Sequence, residues 1–290
     1  MELCFIPRWL SGLADSPLAD SHYAAEHGSF SARAPVTGLE QLAVIGAGLV
    51  AGMLTTTVGV ASLVSFPVLI ALGIPPIVAN VSNTVGLIPG ALSGSFGYRR
   101  ELREQPQTTW YVVVTCAVGS VAGAALLLSL PPGVFEALVP WLILFTCLLV
   151  GVQPWISSWL RSRHDDPDSV EPRTAMSPAT TFFAALTGVY GGYFGAGAGV
   201  MMMAVLGLGL DLELRIVNAL KTLALLAANV VAALIFVFVA DIDFHVAGLL
   251  AAGSVIGGYV GAHIGRRLPP TLLRILIVLA GITAAAFMLF

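Results

Sequence analysis

Lys221 is the only lysine among the 290 residues, and it lies in an otherwise uncharged run, residues 216–240. A charge inside a helix of membrane-spanning length costs about 2.5–3.5 kcal/mol even on lenient insertion scales, so this lysine needs compensation. Three explanations stay open: the side chain snorkels to the membrane interface, pairs with a polar group, or binds an anion. Asn218 and Thr222, which lie within about one helical turn of Lys221, are predicted to belong to the same site.

The first half of the chain has a matching polar stretch in a predicted helix without charge. It contains Asn80, Ser82, Asn83 and Thr84. Each of these alone fits hydrogen bonding between helices, which is often worth only about 0.6 kcal/mol per contact. Their clustering, at a place that matches the Lys221 stretch, predicts one half of a shared site in which Asn80 and Asn83 face Lys221.

Each half also contains a break between two apolar segments. The first break runs from Thr57 to Ser62, and the second contains Gly195, Gly197 and Gly199. A helix that begins in mid-membrane presents unpaired backbone N–H groups and about half a positive charge, which suits an anion. Glycines also allow helices to pack closely, so for Gly195–Gly199 packing and binding both stay open. Taken with the repeat described below, the breaks predict substrate binding near the membrane midplane.

The composition indicates the class of protein to which these residues belong. Hydrophobic residues make up 57% of the chain and charged residues 10%, against about 25% charged in soluble domains. Residues 41–98 contain no charge at all, a length that covers a span of about 20 residues more than twice. We predict a multi-pass protein of the cell (plasma or inner) membrane, with the lipid bilayer as a partner.

The same composition argues against several other functions. There is no basic patch for nucleic acid. The cysteines, Cys4, Cys116 and Cys147, form neither a disulfide framework nor a metal-ligand pattern. We therefore expect no metal, no cofactor and no catalytic residue. Whether the chain is a monomer or a homodimer stays open.

The apolar segments occur in the same order in both halves of the chain. They cover residues 41–58, 63–74, 77–98, 110–130 and 134–153 in the first half, and 179–194, 200–210, 216–240, 244–265 and 271–290 in the second. The second segment of each half is too short to cross a bilayer alone. This order predicts transmembrane repeats at 39–155 and 178–290, a polar cytoplasmic linker at 156–177, and a poorly ordered polar tail at 1–38.

An internal repeat supports this division. Leu72-Gly73 recurs 136 residues later, and Val78-Ala-Asn80 recurs as Ile216-Val-Asn218. Arginines lie in the loop at 99–103 in the first half but in the turn at 266–267 in the second. Because arginine and lysine concentrate on the cytoplasmic side, the halves are predicted to point in opposite directions. The predicted fold is an all-α membrane protein with two inverted repeats, each a broken, re-entrant helix pair followed by three spanning helices.

Several stretches resemble the TauE/SafE family of sulfite and organosulfonate exporters. They are residues 52–67, 72–76, 89–100, 194–199, 218–221 and 257–265, and the likeness covers residues 39–290. The chain departs from the family pattern at Gly59-Val-Ala-Ser62, where a glycine run is reduced, and at Ser82-Asn83 and Ala219-Leu220, which replace Thr-Ser pairs. The resemblance implies export of small sulfur-containing anions, such as sulfite, sulfoacetate or other organosulfonates, through a site between the repeats.

The residues themselves also favour an anion. A carrier of cations normally has Asp or Glu within its spans, whereas here the predicted spans hold only Glu136, at the start of one segment. An uptake permease or a channel for small anions is the main alternative, because sequence does not fix direction. A membrane enzyme is less favoured, since no cluster of nucleophile and base or of metal ligands is present.

Overall fold

The computed structural model describes residues 38–164, 173–264 and 270–289. These residues form eleven helices: α1 (Gly38–Thr57), α2 (Ser62–Ala71), α3 (Pro76–Gly97), α4 (Arg99–Glu104), α5 (Pro106–Ser129), α6 (Pro132–His164), α7 (Pro178–Tyr193), α8 (Ala198–Gly209), α9 (Leu214–Val239), α10 (Phe244–Ile264) and α11 (Pro270–Leu289). No strand occurs among them, so the all-α prediction is confirmed. The predicted tail, except for Gly38, lies outside the described residues.

Proline and glycine set most of the helix boundaries. Helices α3, α5, α6, α7 and α11 each begin at a proline, whose fixed φ suits the first turn and whose missing N–H is not needed there. Helices α1 and α7 are closed by Gly59 and Gly195, which have φ values of 84° and 78°. Their N–H groups donate back to the carbonyl oxygens of Leu54 and Tyr190 at 2.6 and 3.0 Å, as in a glycine-terminated helix.

Five of the described helices are long and apolar enough to cross a membrane. They comprise residues Gly38–Thr57, Pro106–Ser129, Pro132–Ile156, Leu214–Val239 and Phe244–Gly261. Helices α2 and α8 have only 10 and 12 residues, which at about 1.5 Å per residue is too short for a crossing. The structure therefore contains the short arms that the sequence predicts after each break.

The order of helices repeats along the chain. The last residues of α1 and α7, Thr57 and Tyr193, are 136 residues apart, as are the first residues of α2 and α8. The first residues of α3 and α9, of α5 and α10, and of α6 and α11 are 138 apart. Two features lie outside the predicted segments: α4 is a short helix in the arginine loop, and α6 continues to His164, into the predicted linker.

The helices of one half pack against those of the other in matching pairs. Helix α1 packs on α10 as its counterpart α7 packs on α5, and α3 packs on α10 as α9 packs on α5. Glycines allow the close approach. A Cβ on Gly52 of α1 would lie 2.8 Å from the nitrogen of Gly258 in α10, and one on Gly188 of α7 would lie 2.6 Å from the carbonyl oxygen of Cys116 in α5. Such contacts are typical of membrane helix interfaces.

One group of polar contacts joins the starts of α1, α3 and α10. Gln41 Nε2 lies 3.4 Å from His245 Nε2. The backbone N–H of Asp243, just before α10, donates to Ser82 Oγ in the second turn of α3 at 2.9 Å. The Asp243 side chain in turn accepts from the N–H of Val246 at 3.0 Å, which caps α10.

A second group joins α4, the starts of α5 and α9, and the residues before α7. Arg215 donates to both carboxylate oxygens of Glu104 at 3.0 Å and to Glu213 at 2.6 Å. The hydrogen bond and charge of Arg215 lower the pKa of the Glu213 carboxyl. Thr108 in α5 donates to the carbonyl oxygen of Thr174 at 2.7 Å, so the linker end lies beside the start of α5.

The close packing of α1 on α10 predicts a difference between two glycines of α10. A Cβ on Gly257 would lie 2.8 Å from the carbonyl carbon of Leu49, whereas one on Gly248 would meet no atom within 4 Å. We expect Gly257→Ala to lower the free energy of unfolding by about 1–3 kcal/mol through overpacking. Gly248→Ala, the control, should be neutral or stabilise the helix by up to about 1 kcal/mol. Thermal unfolding in detergent measures both, and equal melting temperatures would contradict the packing.

Candidate functional site

Lys221 lies wholly inside the protein. Its side chain is 0% exposed, and its Nζ makes no hydrogen bond with any described residue. A Cβ on Gly59 would lie 3.6 Å from Lys221 Cδ, so the lysine stem runs past the first break. A snorkelling lysine would expose its amine at the protein surface, and this one does not. Of the three explanations for Lys221, snorkelling therefore disagrees with the structure.

The two breaks touch each other beside this lysine. A Cβ on Gly59 would lie 2.8 Å from Gly199 Cα, and one on Gly199 would lie 2.6 Å from Gly59 Cα. Real Cβ atoms do not approach other atoms this closely, so only glycine fits either position. Because Gly199 lies in the first turn of α8, the positive end of α8 adjoins the first break.

Asn83 occupies the position that corresponds to Lys221 in the repeat, 138 residues earlier. Both ends of its amide have a partner, since Oδ1 accepts from Ser65 Oγ at 2.5 Å and Nδ2 donates to Ser62 Oγ at 3.0 Å. The residues 136 positions after these serines are Ala198 and Met201, which have no hydroxyl. The first half thus satisfies its polar side chain internally, whereas the second half carries a cation without such partners.

Asn80 and Asn218 are the next pair of equivalent residues. Asn80 Nδ2 donates to the carbonyl oxygen of Tyr193 at 3.0 Å, which satisfies a backbone acceptor at the last residue of α7. The Oδ1 atoms of Asn80 and Asn218 are both buried without a hydrogen bond to any described residue. Each of the two asparagines therefore has a buried side-chain oxygen that accepts no hydrogen bond from a described residue.

Thr84 and Thr222 bond within their own helices. Their hydroxyls donate to the carbonyl oxygens four residues earlier, Asn80 at 2.9 Å and Asn218 at 2.8 Å. Such back-bonds are common for threonine in helices and leave only the oxygen lone pairs available.

A cavity connects the two breaks. Its empty space, including its open mouth, is about 380 Å³, and it is lined by Thr55, Gly59, Ala61, Ser62, Leu87, Gly191, Gly195, Ala198, Leu225 and Asn229. Of the predicted site residues, Ser62 and Gly195 line it directly. Asn229 is a lining residue that the sequence analysis missed. It lies seven residues after Thr222, two turns further along the same helix face, and that spacing is the signal that indicates it.

Three predicted site residues have other contacts. Ser82 accepts from the N–H of Asp243 at the start of α10. A Cβ on Gly197, which has a φ of 77°, would lie 2.8 Å from Thr146 Cγ2. The Thr57 hydroxyl donates to the carbonyl oxygen of Met53 at 2.8 Å. The structure does not group these residues with Lys221, and their part in binding stays a prediction.

Two polar residues of α6 that the sequence analysis did not select support the breaks. Gln153 Nε2 donates to the carbonyl oxygen of Val58 at 3.4 Å, while its Oε1 is buried and makes no hydrogen bond with a described residue. Thr146 and Tyr190 both donate to the carbonyl oxygen of Ala196, at 3.0 and 2.7 Å. In the sequence, Gln153 could have been recognised as a polar amide at the end of the apolar segment 134–153. Within the described ranges, no group of His, Cys, Asp and Glu could hold a metal ion.

Helices of membrane-spanning length, two broken helix pairs and a buried polar centre between them are the features of a membrane transporter. The chain belongs to the sulfite exporter TauE/SafE family, whose family model matches residues 44–288. The resemblance seen in the sequence is therefore confirmed, and the protein is a membrane transporter of this family.

Two relatives agree with this assignment. A "Probable membrane transporter protein" of Haemophilus influenzae is 25% identical over 254 residues, which cover 87% of this chain and 96% of the relative. A "Probable membrane transporter protein ORF9" of Sinorhizobium sp is 24% identical over 241 residues, covering 82% and 88% respectively. No solved structure gives a significant match.

The contact between Asn83 and α2 predicts a measurable coupling. Asn83→Ala should destabilise the protein by about 1–3 kcal/mol, because it removes the amide partner of the buried Ser65 hydroxyl and of the half-buried Ser62 hydroxyl. In a double-mutant cycle with Ser65→Ala, we expect a coupling energy of about 0.5–3 kcal/mol. The matching cycle of Ser82→Ala with Ser65→Ala is the control and should be additive within about 0.5 kcal/mol, because Ser82 bonds to Asp243. Equal coupling in both cycles would contradict the Asn83 geometry.

Proposed function

We propose that the protein exports small sulfur-containing anions, such as sulfite or organosulfonates, and binds them at Lys221 between its two halves. The observation that carries this proposal is the Lys221 amine, which is fully buried and makes no hydrogen bond with any described residue. An uncompensated charge in a protein interior costs several kcal/mol. An anion that binds there removes this cost, which gives the site its preference for negative charge.

The surroundings of Lys221 support an anion over a cation. Helices α3, α5, α7 and α8, which pack against α9, contain no Asp or Glu. At an effective dielectric constant of about 20, an ammonium and an anion 4 Å apart attract each other by about 4 kcal/mol before desolvation is subtracted. Neutral groups in the cavity, such as the Ser62 hydroxyl and the Asn229 amide, can donate to the oxygens of a sulfite or sulfonate.

We further propose that the two halves are inverted repeats. The polar contacts at the helix ends support this arrangement. Arg215 at the start of α9 binds Glu104 of α4, which follows the end of α3. This contact supports opposite directions for α3 and its counterpart α9. Helices α5 and α10, which are counterparts in the repeat, start beside different neighbours. Helix α10 starts beside Ser82, near the start of α3. Helix α5 starts beside the linker that leads to α7.

The arginines orient this arrangement in the membrane. If α10 starts at the end opposite α4, then it ends on the α4 side. The predicted arginine turn at 266–267 lies outside the described residues, and its placement on the cytoplasmic side with the arginines of α4 stays a prediction of the positive-inside rule. The direction of export is taken from the family description, sulfite exporter.

Binding of a sulfonate tests the role of Lys221. We expect Lys221→Ala to weaken methanesulfonate binding about 30-fold, if half of the attraction of about 4 kcal/mol is lost. Lys221→Arg should keep part of the affinity, because it retains the charge with altered geometry. Arg215→Ala is a matched control, since Arg215 is the other cation of α9 but is exposed and paired with carboxylates. Isothermal titration of the purified variants measures the affinities, and unchanged binding by Lys221→Ala would refute the proposed site.

Flux distinguishes export from uptake at the same site. Inside-out vesicles that contain the protein should accumulate labelled sulfonate, and Lys221→Ala should abolish this accumulation. Accumulation only in right-side-out vesicles would instead support the permease alternative.

Cysteine labelling tests the inverted arrangement. Gln107 and His245 are exposed, lie in the first turns of α5 and α10, and are 138 residues apart. In a Cys4→Ser background, where Cys116 and Cys147 are buried, we expect His245→Cys to react with an impermeant maleimide in intact cells. Gln107→Cys should react only after the membrane is opened. Labelling of both positions from the same side would show that the halves are parallel.

A further inference from the structure

We infer that the site selects monovalent anions over divalent anions of the same size. This inference rests on the proposed anion transport at Lys221 and narrows the class of substrate. It follows from the amount of positive charge that the described residues place around the two breaks.

Lys221 is the one buried cation in this part of the described structure. Of the helices that pack on α9, namely α1, α3, α4, α5, α7 and α8, only α1 and α4 carry charged side chains. In α1 the single charge is Glu40, in its first turn. The titratable groups of the uncharged helices are Tyr111, Cys116, Tyr190 and Tyr193.

The charges of α4 lie at the surface end of α9. This helix contains Arg99, Arg100, Glu101, Arg103 and Glu104, and it has no buried residue. Its contact with α9 includes the bond from Arg215 to Glu104. Arg215 lies six residues before Lys221, about 9 Å along the helix axis. Because Arg215 is already paired with two carboxylates, it adds little positive charge at Lys221.

The helix ends at the breaks add little net charge. At the first break α1 ends at Thr57 and α2 begins at Ser62, and at the second α7 ends at Tyr193 and α8 begins at Ala198. A helix C-terminus carries about half a negative charge and an N-terminus about half a positive charge. Each break therefore brings opposite partial charges together. The amides that bind the terminal carbonyls, Gln153 and Asn80, are neutral.

A single positive charge matches a single negative charge. A monovalent anion and the Lys221 ammonium form a neutral pair, whereas a divalent anion leaves one negative charge uncompensated inside the protein, which is strongly unfavourable. The cavity's neutral donors bind oxygen in either case and do not change this difference. Hydrogen sulfite and simple alkanesulfonates are therefore favoured over the sulfite dianion, sulfate and sulfoacetate, which carries a carboxylate as well as a sulfonate.

Methanesulfonate and sulfate provide the test, because they have nearly the same size and shape but carry one and two charges at neutral pH. Titrated into the purified full-length protein, methanesulfonate should bind at least about tenfold more tightly than sulfate, a difference of about 1.4 kcal/mol. In Lys221→Met the methanesulfonate affinity should fall to that of sulfate or below detection. A second variant, Asn229→Lys, adds a cation to the cavity lining and should shift the ratio towards sulfate by at least about tenfold.

The outcomes separate the two proposals. Equal or tighter binding of sulfate by the unsubstituted protein overturns the monovalent selectivity and leaves anion transport at Lys221 in place. An Asn229→Lys protein that folds and keeps the original ratio also overturns the selectivity. If neither methanesulfonate nor hydrogen sulfite binds the unsubstituted protein, the proposed function fails together with this inference.

Discussion

A helix that ends in the interior of a protein has to find hydrogen-bond partners for its terminal backbone groups within that protein, because an unpaired buried backbone group costs free energy. Much of this structure around its centre serves that requirement. Gly59 and Gly195 turn the chain so that their own N–H groups return to the preceding helix. Side-chain amides from other helices bind two further carbonyls, Asn80 at Tyr193 and Gln153 at Val58. Because these donors come from α3 and α6, the breaks depend on how those helices pack against them.

This requirement also explains why the polar residues at the centre differ in which of their hydrogen-bonding groups remain without a partner. In the first half, the Asn83 amide bonds to both Ser62 and Ser65. In the second half, Ala198 and Met201 replace the serines and Lys221 replaces the asparagine. A near-symmetric fold thus carries an asymmetric site, with structural hydrogen bonds on one side and an uncompensated charge on the other.

The sequence was sufficient to predict the helices but not the contacts between them. Segment ends such as Leu63 and Tyr98 lie within one residue of the observed boundaries, Ser62 and Gly97, because proline, glycine and charge interrupt the apolar runs. Helix α4 was missed since it is short and charged, without apolar periodicity. The surroundings of Ser82 and Gly197 depend on which helix packs beside them, Asp243 before α10 in one case and Thr146 of α6 in the other. No local pattern encodes such neighbours. Asn229 lies seven residues after Thr222, so counting two helical turns along α9 from Thr222 predicts that both lie on the same face.

The exchange of partners between the halves has a consequence for assembly. Since α1 packs on α10 and α7 on α5, each of these closely packed pairs contains one helix from each repeat. A chain cut within 165–172 would divide the hydrogen bonds at the breaks unequally. The first fragment would keep Gln153 beside Val58, whereas the second would need the first to supply Asn80 for the carbonyl oxygen of Tyr193 and Thr146 for that of Ala196. The second break therefore depends on the other half of the chain more than the first does.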